Sequence, residues 1–114
     1  MNTRFLGSQG EKTAVMHLKK EHYRIVETNY SCRYGEIDIV AKKDKVLVFV
    51  EVKSRADMSF GAPSEAVTPK KQQKIITAAK NYIAERGVTD TPMRFDVVEV
   101  LDKKVNHIED AFRL

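Results

Sequence analysis

A single cysteine in 114 residues removes any disulfide framework, because Cys32 has no second thiol in the chain to pair with. No apolar run approaches the roughly 20 residues that cross a bilayer, and the charged-then-apolar layout of a signal peptide is missing as well. Internal repeats, low-complexity tracts and Gly/Ser linkers are also lacking. These absences point to a reduced, soluble, cytoplasmic chain with no membrane partner, folded as one domain over residues 1–114. What is present agrees: 42% hydrophobic residues suffice for one core but not two. Lys and Arg number 20 against 16 acids, a formal charge of +4, which suits an anionic partner such as nucleic acid without requiring one.

The hydrophobic pattern predicts an α/β domain. Residues 8–22 carry an apolar stripe of Ala14, Val15 and Leu18 at helical spacing, with Gly7 and Gly10 weakening its start. "YRIVETNY" (23–30) reads as a strand and Ser31–Gly35 as a turn. "EIDIVA" and "VLVFVEVK" are the clearest strands, and the polar "KKDK" between them makes an antiparallel hairpin the economical reading. Thr68 and Pro69 supply an N-cap and a first-turn proline. The helix they open should run to about Arg86, burying Ile75, Ile76, Ala79 and Ile83 and stopping at Gly87. "RFDVVEVL" (94–101) is a further strand, with a short one near 104–108. The order is α, β, β, β, α, β, and a crossover through the second helix would set the 94–101 strand parallel to the one holding Glu51.

Charged residues inside these apolar strands are the anomaly. Alternation puts Leu47, Phe49, Glu51 and Lys53 on one face, and in the preceding strand Glu36, Asp38 and Val40 on one face with Ile37, Ile39 and Ala41 on the other. Pairing Ala41 with Val46 would place Asp38 opposite Phe49 and diagonal to Glu51, about 7 to 8 Å away along the backbone. A one-residue slip would send Asp38 to the other face. Buried acids this close repel, so a divalent cation is their natural partner. The competing explanation is a half-exposed amphipathic face on which Glu51 and Lys53 simply pair.

"GEIDIVA", "VFVEVKSR", "FGAPSEAV", "KKQQKIITAAKNYI" and "RFDVVEV", with "GSQGEKTAVMHL" before them and "HIEDAF" after, resemble the YraN-like family of small bacterial proteins across almost the whole chain. The resemblance implies a restriction-endonuclease-like fold, a mixed sheet flanked by helices, similar to Holliday-junction resolvases and the wider PD-(D/E)XK superfamily. On this sequence the metal-binding aspartate of that superfamily falls on Asp38 and its Glu-x-Lys half on Glu51, Val52 and Lys53, while Ile37 stands where the proline would be. The implied activity is phosphodiester hydrolysis in DNA, branched or structured DNA among the substrates. Mg²⁺ or Mn²⁺ would be held by Asp38, Glu51 and the Val52 carbonyl, and Lys53 would orient or activate the attacking water. The resolvase analogy is compatible with a homodimer. Two non-enzymatic readings stand beside it: a nucleic-acid-binding module on a nuclease-like fold, and a protein-interaction subunit whose charge is incidental.

Glu11 shares the first helix's stripe with Val15 and Leu18, and in the resembled resolvases an acid on the first helix assists the metal. Ser8 to Glu11 also spells a capping box, which gives Glu11 a purely structural alternative. Lys70, Lys71 and Lys74 open the second helix, where they would meet phosphates or form a solvated face. Arg55, just past the Glu-x-Lys strand and beside the metal site the resemblance implies, is a further candidate for a nucleic-acid contact. His17, His22 and His107 lack the spacing of a metal pair, and Cys32 lacks a base partner, so none receives a role.

Overall fold

The computed structural model describes residues 3–54 and 67–113, with side chains from residue 9 onward; Arg55 lies outside the described residues. Elements follow as α1 (Thr3–Lys20), β1 (Arg24–Cys32), β2 (Gly35–Lys43), β3 (Val46–Ser54), α2 (Pro69–Arg86), β4 (Met93–Leu101) and β5 (Lys104–Phe112). One five-stranded sheet runs in the order β1-β2-β3-β4-β5. Only β3 and β4 are parallel, and α2 is the crossover between them. The αβββαβ order expected from the sequence is present, extended by β5, which is a full nine-residue strand. None of the described helices is long and apolar enough to cross a membrane.

Helices cover both faces of the sheet, which is why β3 and β4 are near-continuous apolar runs rather than alternating ones. On one side Ala14 and Leu18 of α1 pack with Ile39, Ala41, Val48, Val50, Val98 and Val100. On the other, Ile75, Ile76, Ala79 and Tyr82 of α2 pack over Val40, Leu47, Phe49, Phe95 and Phe112. Phe49 stands at the centre of this second layer, stacked on Phe95 at 5.5 Å and edge-on to Tyr82 at 5.8 Å.

The helix signals were legible in different degrees. For α2, Thr68 accepts from the Lys71 amide at 3.2 Å, Pro69 opens the first turn, and Gly87 closes the helix in a left-handed conformation at φ 65°. Helix α1 begins at Thr3 rather than residue 8, so Ser8 to Glu11 lies inside the helix and the capping-box reading of Glu11 falls. Gly10 weakens helix propensity but lets α1 lie close on β3, since a Cβ there would collide with the Ser54 hydroxyl.

The β2–β3 hairpin turns on two residues, Asp44 and Lys45, rather than on four. Both take positive φ, 49° and 70°, as a two-residue primed turn demands. Lys43 therefore pairs with Val46 and Ile39 with Val50, two residues away from the register expected from the sequence. A two-residue shift preserves the faces, and it sets Asp38 opposite Glu51 instead of diagonal to it. Beyond Ile39 the regular alternation breaks. Ile37 joins the α2-side cluster with Val40, although Ile39 and Ala41 face α1, which corrects the expectation that Ile37 shares their side. Asn29, across from this step on β1, has φ 56° and marks the same irregularity.

Lys45 occupies a left-handed position that costs an L-residue about 1 kcal/mol and glycine almost nothing. Lys45→Gly should therefore raise the unfolding free energy by about 0.5 kcal/mol after glycine's own entropy cost. Urea denaturation checks it, and a loss of stability would mean that the left-handed conformation of Lys45 carries no such cost.

Candidate functional site

At the end of the β2–β3 ladder the strands stop pairing and a carboxylate takes over. The Val52 amide donates to Asp38 Oδ2 at 2.8 Å, so Asp38 fills the place a strand carbonyl would occupy. Glu51, opposite, keeps its carboxyl within hydrogen-bond reach of Asp38. Both face a cavity of about 440 Å³ lined by Asp38, Glu51, Val52, Lys53, Thr68 and Lys71. The hairpin supplies the first four residues and the N-terminal turn of α2 the last two.

The electrostatics of the pair follow from its burial. Glu51 exposes 11% of its side chain. Desolvation, then the hydrogen bond and negative charge of Asp38, push its carboxyl up to about 8 against opposition from Lys71 and Lys53. The Lys71 ammonium lies 3.7 Å from Glu51 Oε2 but is half exposed, so water screens its attraction and desolvation prevails. Burial and the neighbouring acid thus favour the protonated form of Glu51. The sequence offered Lys53 as the simple partner of Glu51; the lysine found within ion-pair distance of its carboxyl is Lys71.

The remaining candidates other than Arg55 each have a place among the described residues. Glu11, half-buried on α1, is shifted upward by desolvation first and by the charge of Asp38 second, so it senses the site electrostatically. With its amide turned nitrogen-first, Asn29 donates to both Glu11 oxygens, at 2.7 and 3.2 Å. Of the three candidate lysines on α2, Lys71 enters the cavity, whereas Lys70 and Lys74 lie along a second groove with Tyr34. Among the described residues no set of three or more His, Cys, Asp or Glu side chains is gathered for a metal ion.

Sequence reasoning missed a second polar cluster, on the α1 side. Arg94 Nε and Nη2 donate to the two Asp96 oxygens at 2.8 and 2.9 Å, and the Asp110 amide adds a bond of 3.0 Å. His107 Nε2 sits 2.7 Å from Asp96 Oδ2, and its Nδ1 lies 3.1 Å from His17 Nε2. Fully buried Asp96 resists ionisation by desolvation, but its bonds from His107, Arg94 and the Asp110 amide outweigh this and hold the carboxyl low. The network ties α1 and β5 to β4. Ninety residues separate His17 from His107, so their spacing in sequence carries no signal. The acids themselves did carry one, since Asp96 and the equally buried Glu99 interrupt an apolar strand just as Glu51 does. Asn106 donates to Glu99 at 3.1 Å, and Glu99 stands beside Lys53 in the parallel ladder.

Stability should depend on pH with opposite slopes from two groups. Glu51 binds a proton more tightly folded than unfolded, so its contribution is full below pH 4.5 and is lost as pH rises through about 8. His17, lowered first by desolvation and then by His107, acts on the acid side, where stability falls as pH drops below 6.5. In metal-free buffer the melting temperature should decline on the alkaline side, and Glu51→Gln should flatten that decline while leaving the acid limb. Thermal melts from pH 4 to 9 check it; an unchanged alkaline limb would place the Glu51 carboxyl in water.

Comparison with known proteins places the chain among relatives of nearly equal length. The model of a family described as "Uncharacterised protein family UPF0102" matches residues 10–100. A UPF0102 protein of Clostridioides difficile (strain 630) is 48% identical over 98% of this chain and 100% of its own. One of Geotalea uraniireducens (strain Rf4) is 46% identical over 96% of this chain and 90% of its own. A third, of Caldanaerobacter subterraneus subsp. tengcongensis, is 45% identical over 98% of both. The match takes in both strands of the hairpin, the α2 lysines and the Asp96 network as far as β4, and the chain belongs to the UPF0102 family.

Proposed function

We propose that the protein is a Mg²⁺-dependent nuclease of the PD-(D/E)XK kind, hydrolysing phosphodiester bonds in DNA, branched or structured DNA included. One observation carries the reading: Asp38 and Glu51 meet carboxyl to carboxyl in a cavity that also presents Lys53 and Lys71. The αβββαβ order and the parallel β3–β4 pair support it, as does the positive net charge.

The donor set suits the ion. Asp38, Glu51 and the Val52 carbonyl are hard oxygen donors with no soft or imidazole ligand among them. Mg²⁺ characteristically takes one or two carboxylates and fills its other positions with water and phosphate, so two carboxylates without a third acid suffice. When bound, the cation supplies Lewis-acid stabilisation of the charge that develops on the phosphate. The protein's own groups do the rest. Asp38, held by the Val52 amide, keeps its carboxylate fixed at the strand end. Glu51 would hold the cation as its carboxylate. Lys53 orients the attacking water, and Lys71, beside Glu51 at the N-terminus of α2, attracts the substrate phosphate. Glu11 reinforces the negative field around Asp38 from the α1 side.

A second reading has its own support. The Val52 amide holds the Asp38 carboxylate without any ion, an arrangement a non-catalytic nucleic-acid module on this fold would also keep. Cleavage separates the two. Branched, flapped, duplex and single-stranded substrates should be offered with Mg²⁺ and with Mn²⁺. Asp38→Asn and Glu51→Gln should each lower cleavage at least about 10²-fold and lose Mn²⁺ binding together, whereas Lys53→Ala should slow cleavage by a similar factor with the metal still bound. Calorimetry near pH 7 in buffers of different ionisation enthalpy should show a proton released on Mn²⁺ binding to the wild type. A wild-type protein that neither binds Mn²⁺ nor cuts any substrate would overturn the nuclease reading.

A further inference from the structure

Beside the acidic cavity lies a groove of opposite character, lined by Tyr34, Lys70, Gln73, Lys74 and Thr77. Tyr34 belongs to the two-residue β1–β2 turn and is 42% exposed, one of the few large apolar side chains left open to water. The Arg33 guanidinium lies 4.9 Å from the centre of its ring. The turn is seated firmly. Gly35, at φ 157°, lies so close to the Lys74 carbonyl that an added Cβ would come within 3.3 Å of it. An aromatic ring is thereby held next to three cations, with the positive end of an 18-residue helix beginning one residue before Lys70.

We infer that this groove docks an unpaired nucleic-acid strand, with a base stacked on Tyr34 and the flanking phosphates on Lys70, Lys74 and Arg33. The chemistry of the groove selects that occupant. Aromatic surface interleaved with cations is what single strands need, because every base has a stackable face and every linkage a charge. Blunt duplex offers the same phosphates but keeps its bases in the stack, so it gains nothing from Tyr34. Helix α2 joins the two sites: Lys71 reaches into the carboxylate cavity, while Lys70 and Lys74, its neighbours on the same turns, line the groove. A strand lying on Tyr34 would thus pass its next phosphates toward Asp38 and Glu51. This rests on the nuclease reading for its purpose but not for its test, and it narrows the substrate to nucleic acid with a single-stranded segment next to the point of attack.

Fluorescence anisotropy in EDTA measures the docking without any cleavage, using a labelled 12-nucleotide single strand, a fork with a single-stranded tail, and a blunt duplex. The wild type should favour the single strand and the fork. Tyr34→Ala and Tyr34→Leu should weaken both about tenfold and leave the blunt duplex unchanged, while Tyr34→Phe should bind as the wild type does. Lys70→Ala with Lys74→Ala should flatten the salt dependence of single-strand binding by about 0.7 of a log-log unit for each phosphate that the missing ammonium groups no longer neutralise. Equal loss on single strand and blunt duplex in the Tyr34 variants, no loss in Tyr34→Leu, or a wild type that prefers blunt duplex would each overturn the inference. The two readings fail separately: absence of metal-dependent cleavage leaves the Tyr34 result standing, and cleavage indifferent to Tyr34 removes the groove alone.

Discussion

The hydrogen bond between the Val52 amide and Asp38 is the constraint on which the site depends. It fixes where the β2–β3 ladder ends, holds a carboxylate in the place of a backbone carbonyl, and sets that carboxylate against Glu51. Its geometry is inherited from the turn. Asp44 and Lys45 impose a two-residue loop, the loop imposes the pairing of Lys43 with Val46, and the pairing brings Asp38 level with Glu51. A slip of one residue would separate the acids across the sheet, and a slip of two would only make them diagonal.

Buried acids in this fold meet two different fates, and the contrast marks the site. Asp96 has a bidentate arginine, a histidine and a backbone amide, so every lone pair that matters is satisfied and the carboxyl is held in its charged form. Such a network costs much to break and serves to lock α1 and β5 onto β4. Glu51 instead is buried against another acid, with only a half-exposed lysine at 3.7 Å to oppose them, and its carboxyl is pushed up to about 8. A carboxyl with so shifted a titration beside a cavity marks a candidate functional site.

The two helices serve the two faces unequally. On one side α1 supplies Ala14 and Leu18 to the core and brings Glu11 only to electrostatic range of Asp38. On the other, α2 packs Ile75, Ile76, Ala79 and Tyr82 over the aromatic layer around Phe49, which pins its N-terminus above the ends of β2 and β3. Lys71 and Thr68 reach the cavity for that reason. The same seating presents Lys70 and Lys74 to the β1–β2 turn, so one packed helix face generates both charged surfaces.

By itself the sequence determined the element order, the α2 caps at Thr68 and Gly87, the apolar strands, and the anomaly of Asp38, Glu51 and Lys53 within them, since each is written in local propensity or in a short period. The tertiary structure alone decided the rest. Register came from two left-handed turn residues with no glycine to announce them. The reversal of Ile37 came from a break in the ladder that alternation cannot foresee. Lys71 as the partner of Glu51, and His107 as the partner of both Asp96 and His17, are pairings between residues 20, 11 and 90 positions apart. The first and last are fixed by how helices settle on the sheet, and the second by the β4–β5 register, none of which local propensity records.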